Sequence, residues 1–167
     1  MARHDRSVTA TQGPASAVHA RSAVGGHHAL AAAIASVLGA SALPAVAQTV
    51  ITVDSNPLTR TATTVTTTGT TTKVTTATQS GANAFNSFST FKVGAGDTVN
   101  LHLPTGAANL INLVWDEQVS INGLLNSYKG NNGTQIGGRV FFAAPNGFVV
   151  GSTGVLNVGA LSIATPT

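Results

Sequence analysis

The pattern of apolar and polar positions changes character at Gln48. Ahead of it lies one apolar run, ALAAAIASVLGA (Ala29–Ala40), and behind it come many short ones. From Gln48 onward no segment holds a 3.6-residue apolar period for three turns, so the pattern predicts an essentially all-β body. DTVNLHL, NLINLVW, VSINGLL, GRVFF, GFVVG, GVLNVG and ALSIA are each short apolar or alternating runs closed by Gly, Pro, Asn or Ser, the mark of many short strands. Upstream, RTATTVTTTGTTTKVTTAT (Arg60–Thr78) is dominated by threonine and free of proline. Because threonine is β-branched and favours extended backbone, Val65, Val74 and the break at Gly69 predict a two-stranded hairpin; a flexible linker is the competing reading. In AFNSFSTFKV, the three-residue spacing of Phe85, Phe88 and Phe91 would suit a helix. The Asn, Ser and Thr between them argue against one, which leaves three buried phenylalanines covering one end of a core.

Spacing selects among all-β folds. Runs beginning at Val99, Val119, Val140 and Leu161 recur every 20 to 21 residues. Repetition at that length predicts a solenoid, here a parallel β-helix in which Val119–Ile121, Val140–Phe142 and Leu161–Ile163 stack in register. A β-sandwich, whose strands recur every 8–12 residues, is the alternative. At Pro145-Asn146-Gly147, proline fixes φ, asparagine can bond nearby backbone and glycine accepts positive φ, so a turn closes a coil there.

The first 47 residues read as a secretory signal. Arg3, Arg6 and Arg21 form a basic region, the apolar run follows, and Ala45-Val46-Ala47 presents small residues before a cleavage point at Gln48. The run is too short to cross a bilayer as a helix. Setting this leader aside changes the charge picture. The whole chain carries +3, whereas the body has five bases (Arg60, Lys73, Lys92, Lys129, Arg139) and four acids (Asp54, Asp97, Asp116, Glu117), a net of +1. Scattered bases do not make the clustered cationic face that nucleic acid requires.

Candidate chemistry is sparse. Zero cysteines exclude disulfides, thiolate metal sites and cysteine nucleophiles. Four of the five histidines (His4, His19, His27, His28) fall in the leader, so no metal site is expected in the body. The remaining one, His102, lacks a Gly-x-Ser-x-Gly elbow and reads as a surface or cap residue. Asp116 and Glu117, being adjacent, would point to opposite faces of a strand and read as a solvated turn. VGAGDTV lacks the third glycine and the following helix of a dinucleotide loop and reads as a turn. Asn132-Gly133-Thr134 within KGNNGT reads as a surface hairpin tip. Trp115 reads as buried packing. No catalytic residue and no cofactor is expected.

FFAAPNGFVVGSTGVLNVGALSIAT resembles the haemagglutination-activity, or two-partner-secretion, domain found at the N-terminus of filamentous-haemagglutinin-like proteins. Pro145, Asn146 and Gly147 match that family's Asn-Pro-Asn-Gly pattern, with Ala144 in place of its first Asn. Val155, Asn157, Val158, Gly159 and Leu161 match its Val-Asn-Val-Gly-Gly-Leu, with Ala160 in place of the second Gly. GANAFNSFSTFKVGAGDTVNLHLP is similar to the upstream block of Asn followed by spaced aromatics, which brings in Asn83, Phe85, Phe88 and Phe91. Leukotoxin-type filamentous adhesins are the subgroup it most resembles.

The resemblance implies a right-handed parallel β-helix with an N-terminal cap and an extra-helical β-hairpin over 48–167, behind a signal peptide at 1–47. It implies a secretion signal for a large exported adhesin, recognised by an outer-membrane β-barrel transporter after passage through the periplasm of a Gram-negative bacterium. The chain is then expected to be an N-terminal piece of a longer protein that reaches the medium or the cell surface, with the host surface as a further partner. Asn83, Phe85, Phe88, Phe91, Pro145, Asn146, Gly147, Asn157 and Gly159 become the expected fold and transporter-recognition motif. A surface β-helix enzyme acting on carbohydrate, or a glycan-binding module, is the alternative.

Overall fold

The computed structural model describes residues 48–167, and the expected signal peptide and its cleavage point lie outside the described residues. The body is a parallel β-helix. Strands β5 (Asn83–Val93) and β6 (Thr98–Leu103) make the first coil, β7 (Asn109–Val114), β8 (Val119–Ile121) and β9 (Leu124–Lys129) the second, and β10 (Arg139–Ala143), β11 (Phe148–Val150) and β12 (Val155–Asn157) the third; β13 (Ala160–Ala164) follows. Successive coils stack in three columns of parallel pairs. The first half of β5 is followed by β7, β10 and β13; the second half of β5 by β8 and β11; and β6 by β9 and β12.

Antiparallel strands finish the N-terminal end. β1 (Val50–Val53) pairs with the second half of β5, and β4 (Gln79–Ser80) pairs with its start. The threonine-rich stretch is a hairpin of β2 (Thr63–Thr68) and β3 (Thr71–Thr76), as its β-branched composition predicts, which rules out the flexible linker. β3 also lies parallel on β6 and so extends the third column. Thr72, Val74 and Thr76 point inward, and the hydroxyl of Thr76 donates to the Phe85 carbonyl at 2.7 Å, so threonine serves as a β-former whose polar atom is satisfied.

The coils do not stack at the predicted spacing. Val140 does stack on Leu161, but Val119 stacks on Phe148 in another column, and Val99 stacks on Thr72 and Leu125. The 20-residue recurrence therefore mixes columns. Asparagine ladders record the true interval between the first two coils: Asn83–Asn109, Asn86–Asn112 and Asn100–Asn126 are hydrogen-bonded side chain to side chain, each 26 residues apart. The next interval in the third column lengthens to 31, from Asn126 to Asn157. Within it the chain leaves the coil at Lys129 and returns through an antiparallel bridge between Tyr128 and Ile136. This excursion is the extra-helical hairpin, with KGNNGT at its exposed tip.

The interior is filled by Val74, Val99, Leu101, Leu110, Val119, Ile121, Leu125 and Val140, and by a chain of aromatic contacts. Phe88 meets Phe91 edge-on at 5.1 Å, Phe91 meets Phe142 at 5.2 Å and Phe142 meets Phe148 at 5.2 Å. Phe88 and Phe91 are fully buried, but Phe85 is only half-buried, correcting the expectation of three core rings. A strand places residues three apart on opposite faces. The shift in the β1–β5 register between Thr52 and Val53 marks an irregularity in β5 after Phe88, which returns Phe91 to the inner face while Phe85 keeps the outer one.

Candidate functional site

The expected motif residues do not converge on one pocket; they mark corners and ladders of the coil stack. Asn83 accepts a hydrogen bond from Asn109 Nδ2 at 2.7 Å at the start of the first column. Asn157 donates through Nδ2 to Asn126 Oδ1 at 3.1 Å in the third. Gly159 sits where two coils touch: a Cβ there would lie 2.5 Å from the Gly138 carbonyl oxygen, so only glycine lets the layers close. Phe88 and Phe91 anchor the core, while Phe85 shows its ring partly to solvent.

Pro145, Asn146 and Gly147 form a turn between the first and second columns of the third coil. The Gly147 amide donates to the Ala144 carbonyl at 2.9 Å, and φ at Gly147 is +98°. The turn is tied to the coil below, because Gly147 O accepts from the Val119 amide at 2.9 Å and Asn146 Nδ2 donates to the Trp115 carbonyl at 2.9 Å. The asparagine thus joins two layers rather than bracing its own loop. Since this bond is exposed, Asn146→Leu is expected to destabilise the fold by about 1 kcal/mol, the net value of one such bond. Urea denaturation of the variant beside the parent measures it.

Two residues differ from their sequence reading. Trp115 is not buried; 40% of it is exposed, with indole Nε1 donating to the buried Ser87 Oγ at 2.9 Å. Burial fails here because the residue follows the last residue of β7, at the corner where the chain turns outward. Neighbouring Asp116 and Glu117 are exposed as a turn should be, and Glu117 pairs with Lys92. Behind Trp115, Ser87 Oγ donates to Asp54 Oδ2 at 3.0 Å, and Thr59 Oγ1 donates to the same carboxylate. The Thr59 hydroxyl first, then the Asn56 amide, hold the Asp54 carboxyl below its ordinary value.

His102, expected as a surface or cap residue, is buried at 6% exposure beneath the Lys129–Ile136 excursion. Its Nδ1–H donates to the Gly130 carbonyl at 3.0 Å, and its ring lies 5.3 Å from that of Tyr128. Burial, aided by the charge of Lys73, pushes the imidazole below its usual value, against the Gly130 bond. A depressed histidine contributes stability that is present above the unfolded pKa and lost as pH falls through the folded one. The thermal unfolding midpoint should therefore drop as pH falls below about 6.5, with a flatter profile for His102→Gln. Equal slopes in the two proteins would exclude His102 as the cause.

Among the described residues no three His, Asp or Glu side chains gather as a metal site would require. Of the four acids, Asp54, tied to Thr59 and Ser87, and Asp116 share one cavity beside Trp115, while Asp97 Oδ2 accepts from the Thr49 amide at 2.9 Å and Glu117 faces Lys92.

Residues 49–167 match the family model described as TPS secretion domain. The chain belongs to that family. Its match spans the whole β-helix and the antiparallel strands that finish its N-terminal end, and includes every motif residue named above. No curated protein and no solved structure gives a significant match. The TPS secretion domain is a non-catalytic secretion module of proteins exported through the outer membrane of Gram-negative bacteria, and it implies an outer-membrane transporter partner in general. Sequence reasoning missed the internal parts of this TPS domain, namely the Asn86–Asn112 ladder, the Thr59–Asp54–Ser87–Trp115 relay and the covering of His102. The 26-residue recurrence of asparagine was the available signal for the first.

Proposed function

We propose that residues 48–167 are the secretion signal of a large exported filamentous adhesin, released from a leader at 1–47 and recognised in the periplasm by a cognate outer-membrane β-barrel transporter. One observation carries the reading: the TPS secretion domain match extends over the full parallel β-helix, from 49 to 167. In this reading the transporter reads shape and backbone, and the motif residues divide by role. Phe88, Phe91 and Gly147 act through the fold. Asn83, Phe85, Pro145, Asn146, Asn157 and Gly159 are exposed or partly exposed and supply the recognised surface, Gly159 while also letting the layers close. Of the two carboxylates that share a cavity, Asp54 is already held by the Asn56 amide, Thr59 and Ser87, which favours this reading over a carbohydrate-cleaving β-helix needing a free acid pair.

The test is binding of the purified chain to the separately purified periplasmic domains of a candidate cognate transporter. Saturable binding that weakens when Phe85 and Asn157 are both replaced by alanine is the expected result. No binding to a transporter known to export this chain would overturn direct recognition.

A further inference from the structure

Trp115 and the loop after β1 enclose an open cavity of about 590 Å³, lined by Asp54, Ser55, Asn56, Thr59, Ser89, Trp115 and Asp116. That volume lies within the range of small-molecule sites, roughly 300–1,000 Å³. Its aromatic wall is fixed in place. Indole Nε1 is tied to the fully buried Ser87, whose hydroxyl is tied to Asp54, so the ring edge is held while the rest of the side chain stays partly open to solvent. An exposed, immobilised indole offers large apolar contact at little entropic cost on binding.

The polar groups around it are of both kinds. Asn56 Oδ1 is occupied by the Leu58 amide at 3.0 Å, but Asn56 Nδ2 has no hydrogen-bond partner among the described residues, and neither has the Asp116 carboxylate. Ser55 and Ser89 add hydroxyls that either donate or accept. A partly exposed indole flanked by one unused donor, one unused anionic acceptor and two hydroxyls complements a molecule with an axial C–H face and vicinal hydroxyls. A simple cation would use the acceptors and leave the Asn56 donor idle. An acidic ligand would meet two carboxylates.

We propose that Trp115, Asn56 and Asp116 form a binding site for a neutral hexopyranose, the sugar stacking on the indole while its hydroxyls donate to Asp116 and accept from Asn56 Nδ2. This site is separate from export and does not depend on the transporter reading.

Trp115 is the chain's single tryptophan, so its fluorescence reports on the site directly. The purified chain is titrated with methyl glucoside, methyl galactoside and N-acetylglucosamine, and in parallel with N-acetylneuraminic acid and choline. A saturable emission change with at least one neutral sugar at millimolar concentration is expected, with none from the acidic sugar or choline. Asp116→Ala, and Asn56→Asp, which keeps the Oδ1 acceptor of the turn but removes the donor, should each weaken that sugar about tenfold, the loss of one charge-assisted or amide hydrogen bond. Neither change touches the Trp115–Ser87 bond, so an unaltered sugar-free spectrum separates lost binding from lost fold. No response to any neutral sugar, a response to choline or to the acidic sugar, or undiminished affinity in either variant would overturn the proposal.

Discussion

Phe91→Ala is expected to remove about 3–5 kcal/mol from the unfolding free energy, the range for deleting a buried aromatic side chain and leaving its cavity. Phe91 is wholly buried and sits in the middle of the aromatic chain, touching Phe88 of its own strand and Phe142 two coils further along. It also lies opposite Ile51, through which β1 is fastened to the coil. Because each layer of a solenoid is stabilised by its neighbours, the loss extends beyond one strand. Urea denaturation followed by circular dichroism measures it. Phe85→Ala is the control: its half-buried ring should cost clearly less, and equal costs would contradict the assignment of Phe85 to the outer face.

Asn112→Leu is expected to cost about 2–5 kcal/mol although it makes the core more apolar. Asn112 is fully buried, accepts from Asn86 Nδ2 at 2.9 Å and donates to the Phe141 carbonyl at 3.1 Å, so it joins three successive layers of the first column. Leucine is similar in volume but leaves the buried Asn86 Nδ2 without its partner, at about 1–3 kcal/mol, and removes the side-chain bond to the Phe141 carbonyl, worth about 1 kcal/mol more. No buried polar side-chain atom among the described residues lacks a partner, so the ladder begins fully satisfied. Adding Asn86→Leu to Asn112→Leu should cost less than the two single changes together, since it removes one of the stranded partners. Additive costs would show that the ladder is not an interacting unit.

The all-β class, the short strands from β6 to β13 and the threonine hairpin were legible because they rest on local composition, β-branched runs punctuated by Gly, Pro and Asn, whereas β1, β4 and the long β5 were not. Stacking was harder to read. Apolar residues recur in every column, so Val119 and Val140 suggested a shared register that belongs to neither. Asparagine is rarer in strand interiors and must find a partner when buried, which is why its 26-residue recurrence follows the coil more faithfully than valine does. Trp115 and His102 were misplaced for a related reason. Their burial is set by tertiary features, a corner in one case and the Lys129–Ile136 excursion in the other, which a two-residue alternation does not encode. The motif residues were legible as a pattern, but their division between core, ladder and exposed corner required the coordinates.

Transporter-dependent export decides whether this domain is a secretion signal. The tagged full chain, with its own leader, is produced in Gram-negative cells carrying or lacking a candidate cognate outer-membrane transporter, and the tag is assayed in the periplasm, on the cell surface and in the medium. The expected result is a processed chain beginning at Gln48 that reaches the surface or the medium when the transporter is present and is held in the periplasm when it is absent. Equal release from both strains would contradict the account.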